Sequence, residues 1–229
     1  MIRLADDLYL LTSLPPFGFN VYLMGGVLVD AGTRFARRRI MSKLRGHKPT
    51  AHALTHVHPD HQGSSHAICE ALGIPLWCGE GDAEAMETPG LMMKRMPRHW
   101  LSAAVGPRWL GPCHPVARRL KEGDEAGGFR VIETPGHTVG HIAFWRESDR
   151  VLVAGDVLCN MHIWTGLPRL REPERIFTLD HAQNRRSALR LAQLEPRIAC
   201  FGHGPPLRNP RKLLDFVARF PAASTGPPR

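Results

Sequence analysis

The chain has 229 residues, 43% of them hydrophobic and 22% charged, the proportions of an ordinary soluble globular protein, which exclude wholesale disorder. Its 30 Lys and Arg against 21 Asp and Glu give a formal net charge of +9, but no aromatic-and-basic motif accompanies that charge, so nucleic acid is not expected as a partner. Five cysteines (Cys69, Cys78, Cys113, Cys159, Cys200) with no Cys-x-x-Cys argue against a disulfide framework and against a thiolate zinc knuckle.

The length predicts one domain over residues 1–221, with an irregular insert at about 79–127 and a frayed tail at 222–229. Acidic residues stand at Asp6 and Asp7 where a secretory signal would carry its apolar stretch, and no apolar run reaches membrane-spanning length. A cytoplasmic location and no membrane partner are therefore expected.

In chain order, residues 2 to 31 read as three short strands, Ile2 to Thr12, Asn20 to Met24 and Val27 to Asp30, with Gly25-Gly26 as a hairpin turn. Arg34 to Arg45 has amphipathic helical spacing, with Phe35, Ile40, Met41 and Leu44 on its inner face and the arginines outward. Ala51 to Thr55 is a brief strand that delivers a His-rich run onto a loop. A helix from Gln62 to Leu72 follows, stopped by Gly73.

Pro75 to Cys78 begins the next strand. From Gly79 to Gly127 the pattern weakens into short helices and loops whose Met and Trp residues read mainly as core, with a substrate lid as the alternative. Strand signal returns in Phe129 to Glu133, His141 to Arg146 and Arg150 to Ala154. The remainder reads as a helix from Arg185 to Leu194, a buried strand from Ile198 to Phe201 and a closing helix from Pro210 to Phe220. Pattern alone assigns α/β or α+β.

The chemistry concentrates in Thr-His-Val-His-Pro-Asp-His at residues 55–61. His56, His58, Asp60 and His61 put three imidazoles and a carboxylate into six residues directly after a strand, where a turning chain aims several side chains at one point. Neutral imidazole and carboxylate are the ligands that zinc and similar divalent ions prefer. Gly136-His137-Thr138, Gly155-Asp156 and Gly202-His203-Gly204 each follow a predicted strand beside a glycine. Five His and two Asp are about the number that two ions need when water fills the rest.

These residues resemble the signature of the metallo-β-lactamase-fold hydrolases, whose His-x-His-x-Asp-His matches His56, His58, Asp60 and His61, with later motifs matching His137, Asp156 and His203. The likeness runs from Asn20-Val21-Tyr22 and Asp30-x-Gly32 through Gly136-His137-Thr138-Val139-Gly140-His141 to the Gly-His-Gly near the end. It implies a four-layer αββα sandwich with one metal on His56, His58 and His137, a second on Asp60, His61 and His203, and Asp156 bridging. Asp30 would support the ligand loops, and His141 would brace the turn after His137.

The cofactors implied are two divalent ions, zinc first, with iron or manganese as alternatives. Such a pair, about 3.5 to 4 Å apart, makes a bridging water acidic enough to attack as hydroxide, with Asp60 orienting it. The expected reaction is hydrolysis of a small ester, thioester, lactone or similar acyl substrate.

The bridging Asp156 resembles the glyoxalase II, lactonase and nuclease branches more than the β-lactamases, so β-lactam hydrolysis is expected to be promiscuous at most. Glyoxalase II commonly adds a C-terminal helical region that helps bind glutathione. Here 26 residues follow His203, which counts against a glutathione thioester. Lactonases for acyl-homoserines commonly carry Tyr three residues after the bridging Asp, where this sequence has Cys159. Two alternatives stand beside the small-molecule hydrolase: a phosphodiesterase or nuclease, and a mononuclear iron enzyme akin to persulfide dioxygenases. Cys159, His162 and His181 are the candidate substrate-side residues, Cys159 read chiefly as a buried thiol. His47, His52, His66, His99 and His114 are assigned to the surface or to polar networks.

Overall fold

The structure is a computed structural model that describes residues 1–13, 15–162 and 165–221; the tail expected at 222–229 lies outside them. Where one opening strand was expected there are two, β1 (Ile2–Ala5) and β2 (Leu8–Leu11). Asp7 takes a positive φ of 49° at the turn between them, so β1 folds back antiparallel on β2. Next come β3 (Val21–Met24), β4 (Val27–Val29), α1 (Arg37–Lys43), β5 (Ala51–Ala53), α2 (Pro59–Gln62), α3 (Ser65–Leu72) and β6 (Leu76–Gly79).

The 79–127 stretch is more regular than its sequence suggests. It holds α4 (Glu80–Glu87), α5 (Leu91–Arg95) and α6 (Trp100–Trp109), and also two strands, β7 (Val116–Leu120) and β8 (Glu125–Ala126). The chain continues through β9 (Phe129–Glu133), β10 (Ile142–Arg146), β11 (Val151–Val153), α7 (His181–Gln193), β12 (Ile198–Cys200) and α8 (Pro210–Val217). α7 starts four residues earlier than its apolar periodicity indicates, because the Asp180 side chain caps it through the Gln183 N–H at 2.9 Å.

The strands form two sheets, one in the order β1-β2-β3-β4-β5-β6-β7 and the other β12-β11-β10-β9-β8. Pairing in the first is antiparallel through β4 and parallel from β4 to β7. In the second only β11 and β12 run parallel. Leu8, Leu10, Tyr22 and Met24 from the first sheet meet Phe129, Val131, Phe144 and Val153 from the second in one buried cluster. Burial of such side chains contributes on the order of 1.5–3 kcal/mol each.

The outer face of the second sheet packs under α7 and α8 through Ala188, Leu191, Leu213 and Val217. The outer face of the first is covered by α1 and α3 through Ile40, Leu44 and Ile68, and by α4 and α5 through Met86 and Met92. The result is helix, sheet, sheet, helix. Two of the four apolar residues expected inside α1 behave otherwise: Met41 is half-buried, and Phe35 is 72% exposed because it precedes the helix and never joins its inner face. Among the described residues, no helix is long and apolar enough to cross a membrane.

Candidate metal centre

Four strand ends from both sheets supply the site: β5 leads into His56 and His58, β9 into His137, β11 into Asp156 and β12 into His203. Carboxyl ends of strands in open α/β sheets are a favoured location for ligands. His58 is the extended N-cap residue of α2 with Pro59 at its first position, so the chain enters the helix at once and brings Asp60 and His61 back toward His56. The His56 and His61 ring centroids are 4.0 Å apart, and those of His58 and His137 are 4.6 Å apart. Gly202 permits this crowding, since a Cβ there would stand 2.1 Å from Asp156 Oδ1.

Potential ligand atoms gather in three overlapping groups, His56–His58–His137, His56–His61–Asp156 and Asp60–His61–His203, each with all its atoms within 4.8 Å of one another. Asp156 lies between the outer two: its Oδ2 is 3.0 Å from His203 Nε2, 3.5 Å from His61 Nε2 and 3.7 Å from His137 Nε2. His56 Nε2, His61 Nε2, His137 Nε2 and Asp156 Oδ1 are buried without a hydrogen-bond partner. Buried polar atoms are rarely left so. A cluster of bare imidazole nitrogens and carboxylate oxygens has the donor chemistry of a divalent metal site, and the residues fit such ions.

For four of the five rings the surroundings fix which nitrogen donates outward. His203 Nδ1 is 2.5 Å from the Gly18 carbonyl, which can only accept, so Nδ1 donates and Nε2 keeps its lone pair. His61 Nδ1 donates likewise to Asp30 Oδ2 at 2.9 Å. The Thr178 hydroxyl donates to Glu174 O, so it accepts from His137 Nδ1 at 3.0 Å. Thr55 Oγ1 donates to Asp30 and accepts from His56 Nδ1 at 3.1 Å. Such outer contacts orient metal-binding histidines and raise their basicity.

Asp30 occupies the left-handed region at φ 60°, where Asp is tolerated better than most residues. Its carboxylate also accepts the Thr55 N–H at 2.8 Å. His141 uses both nitrogens: Nε2 accepts the Asp156 N–H at 3.0 Å, so Nδ1 donates to Thr134 Oγ1 at 2.8 Å. It holds the Asp156 backbone and has no lone pair left for an ion.

Electrostatics point the same way. Burial, reinforced by neighbouring rings, pushes His56 and His137 well below the usual imidazole range; burial also takes His58 down to about 4 and His141 to about 3. Burial is outweighed at His61, which Asp156, Asp30 and Asp60 lift to about 10, and at His203, which Asp156 and Asp60 hold well above its ordinary value. Against burial, His203 and His61 hold Asp156 well below the carboxylate range, and His61 and His203 lower Asp60. The raised His61 and His203 and the lowered Asp60 and Asp156 mark a demand for positive charge at the cluster. Divalent cations meet that demand.

Two supports have no signal in the sequence. Thr178 reaches His137 from 41 positions away. Asp82 is buried and accepts from Thr138 Oγ1 at 2.7 Å, Gly140 N at 2.8 Å and Val57 N at 3.3 Å, tying the loop after β5 to the loop after β9. Burial raises its carboxyl despite those bonds.

A cavity of about 350 Å³ opens over the cluster, with His58, Asp60, His137, Asp156 and His203 in its floor and Phe19, Met96, Leu101, Val105, Trp109 and Phe177 among its walls. Within the 79–127 stretch, Met86 and Met92 fill core, as the main expectation had it, while α6 and Met96 line the cavity wall. Cys159 lines the cavity as a thiol, its pKa raised by burial and by Asp156.

His162 and His181, expected at the substrate mouth, are not among the described residues that line it. The chain after Asp156 doubles back through a bridge between Cys159 and Arg171, and the His162 N–H donates to Leu167 O at 2.9 Å. His181 is the first residue of α7. The side chains that the doubled-back segment does bring to the cavity are Arg171, Glu172 and Glu174.

A family model described as the metallo-beta-lactamase superfamily matches residues 14–203. The probable metallo-hydrolase YflN of Bacillus subtilis (strain 168) is 31% identical over 200 residues, 79% of this chain and 76% of its own. Among solved structures, the metallo-beta-lactamase family protein TTHA1429 from Thermus thermophilus is 29% identical with a TM-score of 0.68, over 94% of this chain and 80% of that one. TTHA1623, solved in a di-iron-bound form, is 27% identical with a TM-score of 0.64, over 95% and 96%. With its sandwich, its ligand cluster and a family match across most of its length, the chain belongs to the metallo-β-lactamase superfamily.

Proposed function

We propose that the protein is a hydrolase of small esters, thioesters or lactones with an apolar acyl or leaving group, working with two divalent metal ions. The observation that carries this is the position of Asp156 Oδ2, within 3.0–3.7 Å of His203, His61 and His137, at the floor of a cavity with mostly apolar walls. His56, His58 and His137 would hold one ion, Asp60, His61 and His203 the other, with Asp156 shared. Bound there, the ions would supply an acidified water as nucleophile and an electrophile that stabilises charge developing on the substrate oxygen.

The chain's own groups do the rest. Asp60, 19% exposed and facing the cavity, accepts the proton of the attacking water in a hydrogen bond and aims its lone pair at the acyl carbon. Phe19, Leu101, Val105, Trp109 and Phe177 take up the apolar part of the substrate and exclude bulk water. The di-iron form of TTHA1623 supports a paired centre, with zinc, iron or manganese as its occupants.

Phosphodiester cleavage is disfavoured by the cavity's charge. Its basic group is Arg171, paired with Glu174 at 2.6 Å, and Glu172 beside it is paired with Arg185 at 2.7 Å, so little positive charge faces a polyanion. A panel of esters, thioesters, lactones and phosphodiesters, assayed with metal and after chelation, tests the proposal. Metal-dependent turnover of acyl substrates that rises with apolar chain length is expected. Turnover of phosphodiesters alone would overturn it.

A further inference from the structure

Apart from the centre, the described residues hold one more group of potential ligands, His66, Glu70 and His114. His66 and Glu70 stand four apart on α3 and share a face. His114 comes from the segment joining α6 to β7, which is held firmly: its N–H bonds Met86 O at 3.2 Å, Trp109 O accepts the Arg34 N–H at 2.9 Å, and a Cβ on Gly111 would stand 2.1 Å from Gly63 O. The segment that follows the cavity wall is thus pressed against the junction of α2 and α3 at Gly63, with His66 and His114 meeting beside that contact.

The two rings approach Nδ1 to Nδ1 at 3.1 Å. Two nitrogens bound at 2.0–2.1 Å to one tetrahedral zinc lie about 3.3–3.4 Å apart, so the pair is already near that spacing. Glu70 Oε1 is 3.9 Å from His114 Nδ1 and its side chain is 65% exposed, free to close the remaining gap. The His114 side chain is only 13% exposed, and burial and His66 lower its pKa, the direction that favours a metal-binding imidazole.

We propose that His66, Glu70 and His114 form a second, peripheral site for a divalent transition-metal ion such as zinc, with water completing its coordination. The ion would clamp the 110–114 segment, and through it the end of α6, to α3. None of its ligands belongs to the centre beneath the cavity.

The test is a zinc count on the full-length, chelator-stripped chain against a competing metal indicator, for the wild type, His66→Gln and His114→Gln, each first checked for an unchanged melting midpoint in chelator. The wild type is expected to bind one zinc equivalent more than either variant, whatever the centre itself holds, and zinc should slow amide exchange at residues 110–114 in the wild type alone. His66→Gln, on a partly exposed helix face, keeps the test open should His114→Gln fail to fold. Equal zinc counts in the wild type and a folded variant would overturn the proposal, because a simple imidazole–imidazole hydrogen bond takes up no metal.

Discussion

The seven clustered side chains owe their arrangement to atoms one step further out. Nδ1 of His61, His137, His203 and His56 each donates to a group that accepts, which leaves Nε2 aimed inward. Thr178→Val removes the acceptor at His137 while keeping its shape, so metal affinity is expected to fall about 10- to 100-fold, read by chelator competition. The run at residues 55–61 was legible because its geometry is local to a strand end and one turn of helix. Thr178 and Asp82 were not, because only tertiary packing carries them to the ligand loops. His52, foreseen as a surface or network residue, belongs to a network: it is fully buried between Leu28 O and Ser65 Oγ.

Burial takes His52 down to about 4 from its ordinary 6.5. Between those values the unfolded chain binds the extra proton and the folded chain does not, so stability rises with pH across that window and is lost as pH falls through it. The span corresponds to about 3 kcal/mol. In chelated protein, the difference in stability between wild type and His52→Gln is therefore expected to shrink toward pH 4, followed by denaturant unfolding. A difference unchanged from pH 7 to pH 4 would contradict this.

At the scale of elements, patterns failed where side chains served edges and turns. β7 reads Val-Ala-Arg-Arg-Leu; its burial alternates up to Leu120, but with Arg118 in one of the inward positions of this edge strand the sequence itself shows no apolar–polar alternation. The opening strand broke in two because Asp6-Asp7 can turn, a local choice that the apolar residues on either side conceal. α6 carries Leu101, Val105 and Trp109 along the cavity, so the proposed apolar substrate pocket is tested there. Val105→Trp should fill part of that space, raising KM for long-chain acyl substrates on the order of ten-fold while short-chain esters are largely spared. Equal effects on long and short substrates would move the substrate's apolar part elsewhere.

For the molecule as a whole, the centre exists only when both sheets are in place. β5 belongs to one sheet and β9, β11 and β12 to the other, so closing the core around Tyr22, Phe129 and Phe144 also brings the ligands together. The layer order was implied by the family resemblance; pattern alone reached α/β or α+β, because which faces pair depends on contacts far apart in sequence. Metal bound to the folded chain alone stabilises it by mass action, about 2.7 kcal/mol at a concentration 100 times Kd. The most direct test of the paired centre is metal analysis of the purified protein beside Asp156→Ala, with acyl hydrolysis measured on both. Two ions at the centre of the wild type, lowered occupancy at both positions in the variant and loss of turnover are predicted; a single ion in the wild type, or turnover retained without Asp156, would contradict it.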